Sequence, residues 1–248
     1  AELTYRLENS EISNSSVTNE YTDERGKSVS FGDAGNVLSS AELSIYRDMR
    51  NDPYQPSSGW KTEISGTVYG GLLGGDADLY AVNAEASIYF SLPFKHILGI
   101  YAHAKVIDTW GDTEDVPFSE KLFMYGNDSM VRGFKPRDIG PKAWITGATP
   151  SRDGAKSAGG QTLGVVNTEY TMPMISKVLR LAFFLDAGNV WYDPWEADLD
   201  ELAVGAGVGL RFTVKNFPLR LDFGWLPLEL DDEFTETTEF SFSLRYDF

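Results

Sequence analysis

The residue that most needs a chemical reason is Arg132, in the run Met130-Val131-Arg132-Gly133-Phe134-Lys135-Pro136-Arg137-Asp138-Ile139-Gly140-Pro141-Lys142. It stands between a hydrophobe and a glycine, in the longest stretch of the chain without a periodic pattern. A guanidinium there can pin a loop to carboxylates inside a polar enclosure, because its planar fork makes paired charge-assisted hydrogen bonds. Candidate acceptors lie on later segments, at Glu169 and Asp186. Groups suited to covalent chemistry are scarce. His96 and His103 are the only histidines, there is no cysteine, and no Gly-x-Ser-x-Gly elbow is present. Neither histidine has the spacing of a metal ligand or of a nucleophile's base. The run Gly70-Gly71-Leu72-Leu73-Gly74-Gly75 lacks the lysine and following helix of a phosphate loop, and is expected to be a flexible hairpin tip. Asp112, Glu114 and Asp115, and also Asp231, Asp232 and Glu233, are expected to be solvated loop acids rather than cation sites. The expectation is therefore a protein that is not an enzyme and has no catalytic residue, metal or cofactor.

Composition narrows the class. The 248 residues carry a net charge of −16, with 37 acidic against 21 basic side chains. That balance leaves no basic patch to neutralise phosphates, so nucleic acid is not an expected partner. No run of about 18 apolar residues exists, so a membrane-spanning helix is not expected. No basic segment followed by an apolar core opens the chain, and any signal peptide is expected to have been removed. Aromatic residues at 13% together with 24 glycines suit rings packed on strand faces and gathered into interfacial girdles.

The elements that must position these side chains are strands. Alternation of period two recurs nearly everywhere and helical spacing almost nowhere. Leu202, Val204, Ala206, Val208, Leu210 and Phe212 oppose Ala203, Gly205, Gly207, Gly209 and Arg211. Leu219, Leu221, Phe223 and Trp225 oppose Arg220, Asp222 and Gly224, and Phe240, Phe242, Leu244, Tyr246 and Phe248 oppose Ser241, Ser243, Arg245 and Asp247. Strands are expected at 2–8, 37–47, 60–70, 79–91, 97–108, 161–172, 178–190, 201–214, 217–227 and 239–248. Each is near the ~9–11 residues a tilted strand needs to cross a bilayer. Charge or glycine on the second face, strand after strand, suits a wet lumen better than the surface of a soluble sandwich. Long connections alternate with short ones, as on the two rims of an outer-membrane barrel. The fold class is therefore all-β, a transmembrane antiparallel barrel of about ten strands, with a long loop at 109–160 on the outer rim.

At this point the motifs amount to a resemblance. Val131-Arg132-Gly133-Phe134, Ile139-Gly140-Pro141-Lys142, Gly159-Gly160, Asn167-Thr168-Glu169-Tyr170, the segment from Phe183 to Trp191 and the closing Phe248 resemble the BamA family of outer-membrane protein assembly factors. Arg50-Asn51-Asp52-Pro53-Tyr54-Gln55-Pro56 with Gly59 is similar to that family's periplasmic turn. The resemblance implies that the long loop folds back into the barrel and that Arg132 meets Glu169 and Asp186. Strand parity agrees with it: Asp186 opposes Leu181, Phe183 and Leu185, and Glu169 opposes Val166 and Tyr170. Both acids are then expected on the luminal face. Gly133 is expected to allow a close backbone approach, Val131 to flank the motif, and Phe134 to pack the loop on the inner wall.

The resemblance also implies a function. It is assembly and insertion of β-barrel proteins, by strand templating at a lateral gate in the outer membrane of a Gram-negative bacterium. The gate strand would carry Phe240, Phe242, Leu244, Arg245, Tyr246 and Phe248, with Arg245 where similar proteins often have a kink glycine. Implied partners are outer-membrane lipid and lipopolysaccharide, client β-barrel proteins and periplasmic assembly lipoproteins. Family barrels have about sixteen strands behind periplasmic domains, so residues 1–248 are expected to be one partial barrel domain, a fragment of a longer chain. A related two-partner secretion pore and a passive porin remain as alternatives.

Overall fold

The structure, a computed structural model, describes residues 1–10, 20–31, 36–124, 131–175, 178–214, 217–225 and 240–244. Fourteen strands follow one another: β1 (Glu2–Ser10), β2 (Tyr21–Asp23), β3 (Ser28–Val29), β4 (Asn36–Asp48), β5 (Gly59–Tyr69), β6 (Leu79–Leu92) and β7 (His96–Thr109), then β8 (Lys142–Ile145), β9 (Lys156–Ser157), β10 (Thr162–Ile175), β11 (Leu179–Trp191), β12 (Ala203–Val214), β13 (Phe217–Trp225) and β14 (Phe240–Leu244). Ten of them form one sheet in the order β1-β4-β5-β6-β7-β10-β11-β12-β13-β14, each antiparallel to the next. These are the ten strands read from alternation, with ends displaced by only a few residues. Among the described residues the sheet is open, with β1 and β14 at its edges. No described helix is long and apolar enough to cross a membrane.

Burial separates the two faces along each strand. On β11, Phe183 and Leu185 are 41% and 54% exposed, whereas Phe184 and Asp186 are 5% and 0%. On β6, Val82, Ile88 and Phe90 point outward, and Leu79, Ala81, Ser87 and Tyr89 are buried on the inner side. An apolar outer face with polar and small residues inside is the arrangement a lipid-facing barrel wall requires.

The loops hold more structure than periodicity suggested. The connections at 9–36 and 109–160 contribute β2, β3, β8 and β9, which form a second sheet in the order β3-β2-β8-β9. Thr22 lies opposite Trp144, more than a hundred residues away. Strands of two to four residues are too short to show a period, so only pairing reveals them. The long loop also changes the expected wet lumen at its end of the sheet. Its Val116, Leu122, Met124, Val131, Phe134 and Ile139 join Leu79, Ala81, Ile107, Leu163, Val165 and Val190 of the inner wall in one buried apolar cluster.

Two turns follow from single residues. At the β4–β5 turn, Asp52 Oδ1 accepts from the Tyr54 and Gln55 amides at 2.8 and 3.0 Å, and Asn51 Oδ1 accepts from Ser57 and Ser58 at 2.9 and 3.0 Å. Gly59 closes it at φ +99°, where a Cβ would collide with the Met49 carbonyl oxygen. The glycine-rich tip at 70–75, expected to be flexible, contains a 3-10 turn (Gly71–Leu73) whose Gly71 amide donates to Asp78 Oδ1 at 2.7 Å.

Candidate functional site

The inner faces of β10 to β13 carry five charged groups of one cluster. Alternation puts Glu169 (β10), Asp186 (β11), Arg211 (β12), and Arg220 with Asp222 (β13) on this side. Register then brings them together: Glu169 faces Phe184, Asp186 faces Gly205, Gly209 faces Asp222, and Arg211 faces Arg220. Two arginines directly opposite on neighbouring strands repel each other, and the carboxylate of Glu169 lies between them. Arg211 Nε donates to Glu169 Oε1 at 2.9 Å and its Nη2 to Oε2 at 2.5 Å, while Arg220 Nη2 reaches Oε2 at 2.8 Å.

Arg132 arrives from the long loop. Its Nε and Nη2 donate to the two oxygens of Asp186 at 2.6 and 2.7 Å, and its own amide donates to Asp186 Oδ2 at 3.1 Å. Nη1 donates to Glu169 Oε2 at 2.9 Å and lies 3.9 Å from Asp222 Oδ2. Arg211 Nη1 completes the set at 2.6 Å from Asp222 Oδ1. The guanidinium carbon of Arg132 sits 3.7 Å from the centre of the Phe184 ring, a cation–π contact in a dry site. Three arginines thus balance three acids, and both Asp186 and Glu169 are almost wholly buried. Buried charge is tolerable only when paired and hydrogen-bonded, and Arg132, Asp186 and Glu169 meet both conditions.

Glycines let the loop backbone reach the wall. A Cβ on Gly205 would coincide with the Arg132 carbonyl oxygen, and one on Gly224 would lie 3.0 Å from the Gly133 nitrogen and Cα. Gly133 itself has φ +105°. Val131 and Phe134, either side of this pair, are 1% and 2% exposed within the apolar cluster. Further along, Gly140 (φ +102°) lies so close to β11 that a Cβ would sit 2.7 Å from Val190 Cβ. Lys142 is buried and donates to the carbonyl and carboxylate oxygens of Asp138 at 2.6 and 2.5 Å.

The structure thus brings together Val131, Arg132, Gly133, Phe134, Glu169 and Asp186. Sequence reasoning missed Arg211, Arg220, Asp222 and the Phe184 ring as members. Alternation placed those three charges on the inner side, but only strand register shows that they converge on Glu169. Of the residues expected on a gate strand, Phe240, Phe242 and Leu244 lie on β14 opposite Phe223, Leu221 and Leu219. Arg245, Tyr246 and Phe248 lie outside the described residues, as do Asp231, Asp232 and Glu233. The histidines have structural partners: His96 Nδ1 with the Tyr170 hydroxyl at 2.5 Å, and His103 Nε2 with Asn83 Oδ1 at 2.7 Å. Asp115 pairs with Lys27 at 2.7 Å. Among the described residues, no group of three or more His, Asp or Glu is arranged to hold a metal ion.

An open lipid-facing sheet with an inward-folded loop clamped by arginine restricts the possible families. Comparison decides among them, because the Omp85 superfamily domain matches residues 1–248. The chain belongs to the Omp85 superfamily. It is 26% identical over 167 residues to the outer membrane protein assembly factor BamA of Neisseria meningitidis serogroup B, which covers 65% of this chain and 20% of that protein. The chain therefore spans about a fifth of that relative's length. In fold it is similar to the crystal structure of BamA from Haemophilus ducreyi lacking POTRA domains 1-3. The TM-score is 0.69 at 23% identity, over 84% of this chain and 42% of that one. The resemblance to the BamA barrel and the all-β class are both borne out. As an Omp85 member with this wall, the chain is part of a bacterial outer-membrane β-barrel.

Proposed function

We propose that this chain is the gate-bearing part of the barrel of an outer-membrane protein assembly factor, and that it inserts β-barrel clients by templating their strands. The observation that carries this is the edge position of the aromatic-bearing strand β14 in a member of the Omp85 superfamily. A free edge offers a row of backbone donors and acceptors to an incoming strand. Phe240, Phe242 and Leu244 belong to β14, and Arg245, Tyr246 and Phe248 follow them in the sequence. No covalent step or cofactor is needed, since hydrogen bonds of the edge replace water in the client strand.

The Arg132 cluster has a supporting role in this proposal. It holds the loop on β10–β13, next to the gate strand, so that β14 can separate from its other neighbour while the wall behind it stays rigid. Residues 1–248 then act as one partial barrel domain with that inward-folded loop. The filled concave face weighs against a passive porin, because the loop's apolar cluster occupies the space a solute would need. Clients, periplasmic lipoproteins, membrane lipid and lipopolysaccharide are the partners this activity requires. The test uses the full-length protein in its membrane, with a photo-crosslinking residue replacing Phe242. Adducts with a stalled client strand are expected there. Adducts with a secreted passenger only at luminal sites such as Glu85 would point to a secretion pore instead.

A further inference from the structure

The acidic chain gathers cations in one place outside the Arg132 cluster. A hollow of about 860 Å³ lies between the inner wall and the two loop segments, within the ~300–1,000 Å³ usual for ligand sites. One side is aromatic. Tyr21, Phe31, Phe118 and Phe123 stack edge to face in sequence, with ring centres 4.7, 5.1 and 5.4 Å apart. Cations flank this aromatic row: Lys156 Nζ lies 4.6 Å from the Tyr21 ring centre and Arg137 Cζ 4.6 Å from that of Phe123. Lys105 from β7 and Lys121 from the loop complete the lining, with Glu120 the single acid, held by the Tyr69 hydroxyl at 3.0 Å.

Lys105 and Lys121 are half-buried, and among the described residues neither ammonium makes an ion pair or hydrogen bond. Burial pushes the Lys121 ammonium below its ordinary pKa, and the opposing pull of Asp115 and Asp23, themselves flanked by Lys27 and Arg25, does not offset it. In a chain with 37 acids to 21 bases, leaving two such cations unmatched costs stability unless an anion binds there. Four cations against one acid exceed the charge of a carboxylate and suit a doubly charged phosphoryl group. The aromatic row suits an apolar body attached to it.

We propose that this hollow is a binding site for an organic phosphate whose phosphoryl group meets Lys105, Lys121, Arg137 and Lys156 and whose apolar part packs on Phe118 and Phe123. This site is independent of the gate. The full-length protein in phosphatidylcholine nanodiscs is titrated with naphthyl phosphate and followed by the probe's fluorescence anisotropy. Saturable single-site binding is expected, with naphthol at least about tenfold weaker, the loss expected when a charge-assisted contact is removed. The double variant Lys105→Gln/Lys121→Gln should weaken binding at least about tenfold, and Lys105→Arg/Lys121→Arg should restore most of it. Lys156→Gln, on an exposed side chain that folding does not depend on, should weaken binding about threefold. Displacement of the probe by short-chain phosphatidic acid would assign a lipid source, and displacement by glycerol phosphate a soluble one. Binding that does not saturate, or that is equal in the lysine variants, overturns the proposal.

Discussion

Replacing Arg132 by alanine tests the clamp directly. The substitution removes the three hydrogen bonds that the guanidinium donates to Asp186 and Glu169. It also leaves three acids facing two arginines in a site where Asp186 is wholly buried. Breaking a buried pair by removing one partner typically costs roughly 3–5 kcal/mol, because the remaining charge is uncompensated. The cost falls on docking of the loop rather than on the sheet, whose ladders do not depend on Arg132. An opening equilibrium should therefore shift by about a hundredfold to a few thousandfold, at tenfold per ~1.4 kcal/mol. Trypsin reports it, since Arg137 lies on the docked segment, and cleavage tracks the open population when reclosing is fast. The folded barrel should be cut in the loop at a correspondingly higher rate while its strands stay intact. Arg132→Lys should fall between, because an ammonium cannot span both oxygens of Asp186. The double variant Arg132→Ala/Asp186→Ala should open less than the sum of the singles. A rate in Arg132→Ala within twofold (on the order of experimental error) of the unaltered protein would refute the reasoning.

Three further outcomes follow from the same geometry. Gly205→Ala places a methyl on the Arg132 carbonyl oxygen, and overpacking of that kind costs roughly 1–3 kcal/mol, so loop cleavage should rise while Arg132 stays in place. Lys142→Met strips Asp138 of its buried partner, and hydrogen exchange at Ala143 and Trp144 should accelerate by a factor set by about 1–3 kcal/mol. At the β4–β5 turn, the Tyr54 and Gln55 amides hold the Asp52 carboxyl below its ordinary value. Its folded pKa being the lower one, the stabilisation is fully present above the unfolded value near ~3.9 and fades as pH falls through the folded value. Asp52→Ala should therefore quicken cleavage after Tyr54 at neutral pH, and the difference should vanish in strong acid under pepsin.

The wall of this protein is written in its sequence. Leu181, Phe183 and Leu185 alternate with Ala182, Phe184 and Asp186 because lipid meets one side of a strand and protein or water the other, and a period of two records that division residue by residue. Glu169 and Asp186 could be assigned to the inner face for the same reason. What parity does not contain is register. That Arg211 and Arg220 stand opposite each other, with Glu169 between them, depends on how far neighbouring strands slide, and no local pattern encodes that distance. The small β3-β2-β8-β9 sheet escapes for a related reason, since its strands are too short for a period and its partners are distant in the chain. The apolar filling of the inner face was hidden too, because Val116, Met124 and Ile139 look like isolated loop hydrophobes until the loop turns inward. Alternation is fixed by one residue and its solvent, whereas pairing, loop docking and charge balance depend on contacts between segments far apart in sequence.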